Sequence, residues 1–270
     1  MLDALLKQPV DFAREGMAPF YLDFWEKMKA AFPDESVGFS FGLEGPITTA
    51  YELRGEAFFT DLFDSPDLLP EFLELMTRSI VDYHRFCSRL TGAESVDPRG
   101  AGLVDDIASF VPPRLFPRYV MPYWEQYYAG VTTGRRNAHV EDLKRAQLGF
   151  LEDIGLSYYD PSISHKLNPR TIAEEIRVPF GWRLGSFHYS GMDEQDVRDF
   201  VFQAAADGAS QVFTIIEATL SDEEGVRKVT AFKQAGEEVE RLLGQGCSRA
   251  ELGGCVSARG RARFWECWPE

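Results

Sequence analysis

Apolar residues recur at helical spacing through residues 19–32. Phe20, Phe24, Met28 and Phe32 share one side there, and Pro33 stops the run. SVGFSFG (36–42) is a short β-type run. GPITTAYELRG predicts a loop opening a helix capped by Thr48 or Thr49. A long helix is expected over residues 66–90, with Leu69, Phe72, Leu73, Met76, Ile80, Tyr83 and Phe86 on one side.

A simpler alternation then sets in. GAGLVDDIAS, RRNAHVEDL, LSYYDPSIS, VPFGWRLGSFHYS and SQVFTIIEATL are mostly apolar strand patterns. Between them lie helical runs: RLFPRYVMPYWEQYYAG (broken by Pro117 and Pro122), 144–155, TIAEEIR and MDEQDVRDFVFQAAADG. A final helix begins at DEEGVRKV. The helix ending at Gly208 puts Val197, Phe200, Val201, Ala204 and Ala205 on one face. Strand followed by helix, repeated, means parallel strands with crossover helices. About six such units follow residue 36, where a closed (β/α)8 barrel needs eight. The expected fold is therefore an α/β, TIM-barrel-like sheet lacking its first two strands. It forms a single domain over residues 1–243, with an irregular glycine-, arginine- and cysteine-rich tail over 244–270.

Composition narrows the function. The net charge is −15, which repels nucleic acid and anionic membrane surfaces. Arg259, Arg261 and Arg263 form the one short basic cluster in the sequence. No apolar run is long enough to span a membrane, and the start is unlike a secretory signal. Four cysteines in 270 residues suit a reducing cytoplasm rather than a disulfide scaffold. Cys247, Cys255 and Cys267 are not spaced as a zinc knuckle.

Polar residues that act in a parallel α/β sheet lie at the C-terminal ends of its strands. Asp105 and Asp106, His139 and Glu141, Asp160, and Glu217 occupy such ends. On a strand, His139 and Glu141 point to the same side, so an imidazole and a carboxylate face one pocket. That pair suits a divalent metal such as zinc, with Glu217 as third ligand; the alternative is a histidine simply hydrogen-bonded to a nearby acid. Asp105 and Asp106 point to opposite faces, so at most one enters the pocket to bind substrate or position a base; the alternative is that one of them caps a helix. Glu44 sits in a glycine-bordered loop able to approach a ligand. Arg54 can clamp a substrate carboxylate or simply be solvated. His165 follows a strand end. His84 fits packing, and His188 is left open. GxGxxG, Walker A, GxSxG and HExxH patterns are absent.

Several segments in order resemble the uroporphyrinogen decarboxylase superfamily. FSFGLEGPITTAYELRG is similar to its GPfT segment, and GLVDDIASFVPPRLFPRYVMPYWEQYY to its DD…P…Py segment. RRNAHVEDL falls where the corrinoid-linked methyltransferases carry HxC, and LSYYDPSISHKLNPRTIAEEI, FGWRLGSF and DGASQVFTIIEATLSDEEGVRKVTAF follow in family order. The likeness covers about residues 20–240 and implies a (β/α)8 barrel.

For function, the resemblance implies an enzyme nearer the methyltransferase branch. His139 stands at the metal-binding histidine, Glu141 replaces the first cysteine, and Glu217 falls near the second. The implied activity is methyl transfer between a small-molecule donor and a corrinoid, carried by a corrinoid protein, with zinc or another divalent metal at His139, Glu141 and Glu217. Asp106 and Arg54 act on the substrate; Glu44, Asp105, Asp160 and His165 bind it. The alternatives are a cofactor-free decarboxylase acting on a porphyrinogen, with Arg54 and the Asp105–Asp106 pair facing the tetrapyrrole, and an inactive or truncated binding protein. The resemblance also implies two strands ahead of the GPIT segment. Their absence suggests a truncated product with an altered reading frame at its end, whose open sheet edge favours a homodimer.

Overall fold

The computed structural model describes Gln8, residues 10–39 and residues 43–265. It is an α/β protein with parallel strands and a partial, TIM-barrel-like arrangement. Five strands occur among the described residues. By internal packing the chain divides into two compact units, Met1–Arg136 and Asn137–Glu270.

In the first unit, α1 (Ala18–Ala31) forms where helical periodicity predicts it, but the opposite face packs. Trp25 is buried with Phe39 and Cys87, while Phe20, Phe24 and Phe32 stay exposed. The Trp25 indole N–H donates to the Val37 carbonyl at 2.9 Å, so residue 37 is tied to a helix rather than to a strand. The expected strand over 36–42 is not formed at 37–39, and residues 40–42 lie outside the described residues.

Two helices follow, α2 (Pro46–Arg54) and α3 (Ala57–Asp64). Helix α4 (Leu68–Thr91) then buries Leu69, Leu73, Met76 and Ile80 and ends on Gly92 at φ 70°, a left-handed cap that glycine adopts without strain. After β1 (Gly100–Val104), helix α5 (Met121–Val131) packs against α4. Gly130 permits that contact, because a Cβ there would lie 2.6 Å from Val81 Cγ1.

Asp105 is the hub of this unit. It is completely buried and accepts from the backbone N–H groups of Ile47 and Thr48 and from the Trp124 indole, at 3.3, 2.7 and 2.7 Å. Neither Thr48 nor Thr49 caps α2. The orphan amides of its first turn are met instead by a carboxylate from the end of β1. Gly45 is required beside it, since an added Cβ would sit 2.4 Å from Asp105 Cγ.

The second unit takes up β2 (Arg135–His139) at Asn137 and continues through β3 (Tyr158–Asp160), β4 (Gly181–Leu184) and β5 (Gln211–Thr214). β2 pairs in parallel with β3, and β4 with β5. A parallel bridge from Tyr159 to Phe180 joins the two pairs, so the strands lie in chain order. Helices α6 (Gly149–Asp153), α7 (Pro169–Glu175) and α8 (Glu194–Ala206) fall between successive strands, and α9 (Glu223–Gly244) follows the last. Parallel pairing gathers all the C-terminal strand ends at one edge.

The tail expected to be irregular forms α10 (Arg249–Gly254) and α11 (Ala258–Arg263). Its glycines and arginines hide the periodicity, but Ser248 and Ser257 supply caps. Fully buried Asp199 of α8 accepts from Ser257 N at 3.0 Å and from its hydroxyl. Arg259 pairs with Asp193 and Asp196, and Arg263 with Asp196, so two arginines of the basic cluster are spent on internal ion pairs. Ser257→Ala is expected to lower stability by about 1–2 kcal/mol in urea unfolding, through the lost cap and the donor removed from Asp199. Cys267 lies outside the described residues.

Candidate functional site

The register of the sheet builds the candidate site. His139 ends β2 directly beside Asp160, which ends β3. Nδ1 of His139 lies 2.8 Å from Asp160 Oδ2. An ionised carboxylate only accepts, so Nδ1 carries a proton, and in the neutral ring the lone pair falls to Nε2. Nε2 is 3.7 Å from Glu141 Oε1, the two side chains sharing a side as strand alternation predicts. Burial pushes the Asp160 pKa up, but hydrogen bonds from His139 and the Ser162 amide, with the charges of His139 and Arg183, outweigh it and hold the group below the usual carboxylate range.

Two strained turns frame the group. Asp142, after Glu141, and Ser162, after Asp160, adopt φ of 56° and 57°. Such backbone in non-glycine residues persists only where surroundings over-determine it, and it concentrates at functional sites. Here Asp142 Oδ1 accepts from the Ser164 hydroxyl and the His165 amide, and Asp160 Oδ1 from the Ser162 amide. The loops after β2 and β3 are thereby tied together. His165 contributes this amide, and the residue is exposed.

Arg183, from β4, donates to the Ser162 hydroxyl and lies 3.6 Å from Glu141 Oε1. Sequence reasoning missed both Arg183 and Ser162. An arginine inside the otherwise apolar FGWRLG strand was the available signal, since a charge there must point at a partner.

The imidazole–carboxylate pair fits a divalent metal. An N and an O ligand at about 2.0–2.2 Å from one tetrahedral ion are separated by only slightly less than the distance seen here. Asp160, on the far ring nitrogen, has the orienting role that carboxylates take behind metal-bound histidines.

Glu217 does not join His139 and Glu141 among potential ligands of the described residues. The chain turns into a 3-10 helix directly after it, and Glu217 lines a cavity of about 410 Å³ with Lys228. Lys228 is buried and donates to the Tyr189 carbonyl at 2.8 Å. In the first unit, Arg54 makes a two-point ion pair with Asp61 on the surface rather than facing a substrate, because the turn at Gly55 folds α3 back towards α2. Asp105 is structural and sealed from solvent. Asp106 opens the turn Asp106–Phe110, half-buried. Glu44 borders a cavity of about 190 Å³ with Met76, Ile80 and Tyr83. His84 sits half-buried in α4; His188 is buried, accepts the Gly185 amide on Nδ1, and burial lowers its pKa to about 4.

Comparison with known proteins agrees with this architecture. The family profile described as uroporphyrinogen decarboxylase (URO-D) matches residues 3–175. A solved structure of a methyltransferase from Methanosarcina mazei superposes with a TM-score of 0.62, at 18% identity, over 85% of this chain and 67% of that one. No curated protein matches by sequence. With the match covering well over half of its length, the chain belongs to the uroporphyrinogen decarboxylase family.

Proposed function

We propose that the protein is a metal-assisted methyltransferase of this family, moving a methyl group between a small-molecule donor and a corrinoid carried by a partner protein. The observation that carries this reading is the Asp160–His139–Glu141 array, with the Asp160 side of the imidazole protonated and Nε2 turned to a carboxylate. His139 and Glu141 would hold the ion, and Glu217 is dropped from the ligand set. A divalent metal bound there supplies Lewis acidity, lowering the pKa of an attached acceptor group. Asp160 fixes the ring and, in the neutral imidazole, leaves the lone pair on Nε2. Arg183 balances Glu141 and holds the turn at Ser162.

Support for methyl transfer over decarboxylation comes from that array, because the decarboxylase reading has no use for a metal ligand set. None of the described helices is long and apolar enough to cross a membrane, which accords with a cytoplasmic setting.

Metal analysis of the purified full chain after incubation with zinc tests the proposal. About one equivalent is expected in the wild type, with loss in His139→Ala. Zinc content that is absent, or unchanged in His139→Ala, would sink it, and porphyrin binding without metal would favour the decarboxylase.

A further inference from the structure

A second cavity of the same unit, about 350 Å³, opens where α8 meets the C-terminal helices. Its walls include Arg170, Asp207, Arg249, Arg261 and Phe264. Three guanidinium groups face one carboxylate there, a local charge of +2 in a chain of net charge −15.

The internal contacts leave that charge standing. Asp207 accepts from Arg170 at 3.3 Å, Gln203 Nε2 at 2.6 Å and the Trp265 indole at 2.8 Å. Arg170 is therefore matched. Arg249 donates through Nη1 to the carbonyls of Ala205 and Ala209, at the end of α8, and Arg261 donates to the Val256 carbonyl. Neither Arg249 nor Arg261 forms an ion pair with a carboxylate of the described residues. Carbonyl contacts use one or two of the five donors on each side chain and offset none of its charge. By contrast, Arg259 and Arg263 of the same tail both meet Asp196.

We infer that this cavity binds a small phosphate-bearing anion, held between Arg249 and Arg261. Guanidinium forks match tetrahedral oxyanions in geometry and charge. The chain's overall negative field does not forbid this, because at physiological salt it is screened within about 8 Å, and local charge governs. Phe264, buried at the cavity edge, gives an apolar wall for the non-phosphate part of the ligand. The site lies among helices and uses none of the residues assigned to methyl transfer, so its test is independent of that reading.

Calorimetric titration of the full chain with pyrophosphate is the experiment, with citrate as the carboxylate comparison. Saturable binding at one site is expected, weakened at least about tenfold in Arg249→Ala/Arg261→Ala, with circular dichroism unchanged. If the double variant does not fold, Arg261→Gln serves alone, since among the described residues its internal hydrogen bond is to the Val256 carbonyl, and a several-fold loss is expected. The inference is overturned by no saturable pyrophosphate binding, by equal affinity in the variants, or by binding of citrate alone.

Discussion

Asp160→Ala is expected to leave the protein folded but to weaken zinc binding by roughly 10–100-fold, the usual cost of losing an orienting partner behind a metal-bound histidine. The reason is geometric. Asp160 touches the ring nitrogen that does not face Glu141, at 2.8 Å, and fixes both tautomer and ring plane. Without it, His139 must spend part of the binding free energy on its own ordering, and Nε2 carries the proton in a share of molecules. Asp160→Asn keeps a side-chain oxygen for Nδ1–H and should fall between wild type and alanine. Competition against a chromophoric chelator measures the series, with thermal melting as control for the lost Ser162 contact. Equal affinity in all three proteins would mean that Asp160 merely closes its turn and does not orient the imidazole.

Much of this geometry is legible in the sequence. Strand alternation placed His139 and Glu141 on one side, and the rule that parallel strands act at their C-terminal ends brought Asp160 to the same edge. What periodicity could not give was register. Whether Asp160 or Glu217 reaches His139 depends on which residues pair across β2 and β3, a long-range choice that local sequence does not encode. Glu217 follows β5 by three residues, at the entry to a 3-10 turn, and lines another cavity. Arg54 fell to a nearer partner, Asp61, in the following helix. Phe20 and Phe24 misled in another way. Their spacing shows that residues 18–31 are helical, but periodicity does not say which of two apolar faces is covered, and Trp25 took that place. In the tail, glycine and arginine masked two helices whose stability rests on caps and on acids of α8 and its N-cap more than 50 residues earlier in the chain.

Asp105→Ala is expected to be the most destabilising of these changes, roughly 2–4 kcal/mol at neutral pH, since it leaves two backbone amides and an indole N–H buried without their acceptor. Asparagine should not rescue it well. One amide oxygen can still serve Thr48 N–H, but an NH2 group would then face the Ile47 amide and the Trp124 indole, donor against donor. The pH dependence has a definite sign. Burial raises the Asp105 pKa to about 6, against the pull of the three hydrogen bonds. The folded protein therefore binds a proton between about pH 4 and 6 that the unfolded chain, near 3.9, has already released. Stability from this group is full at the acid end and is lost as pH rises through 6. The gap between wild type and Asp105→Ala should be widest near pH 4 and narrow by up to about 3 kcal/mol on going above pH 6. Urea unfolding of both proteins across that range reads the difference directly, because titrations common to both cancel. A gap that stays constant, or widens with rising pH, would show that the three donors outweigh burial and keep Asp105 ionised throughout.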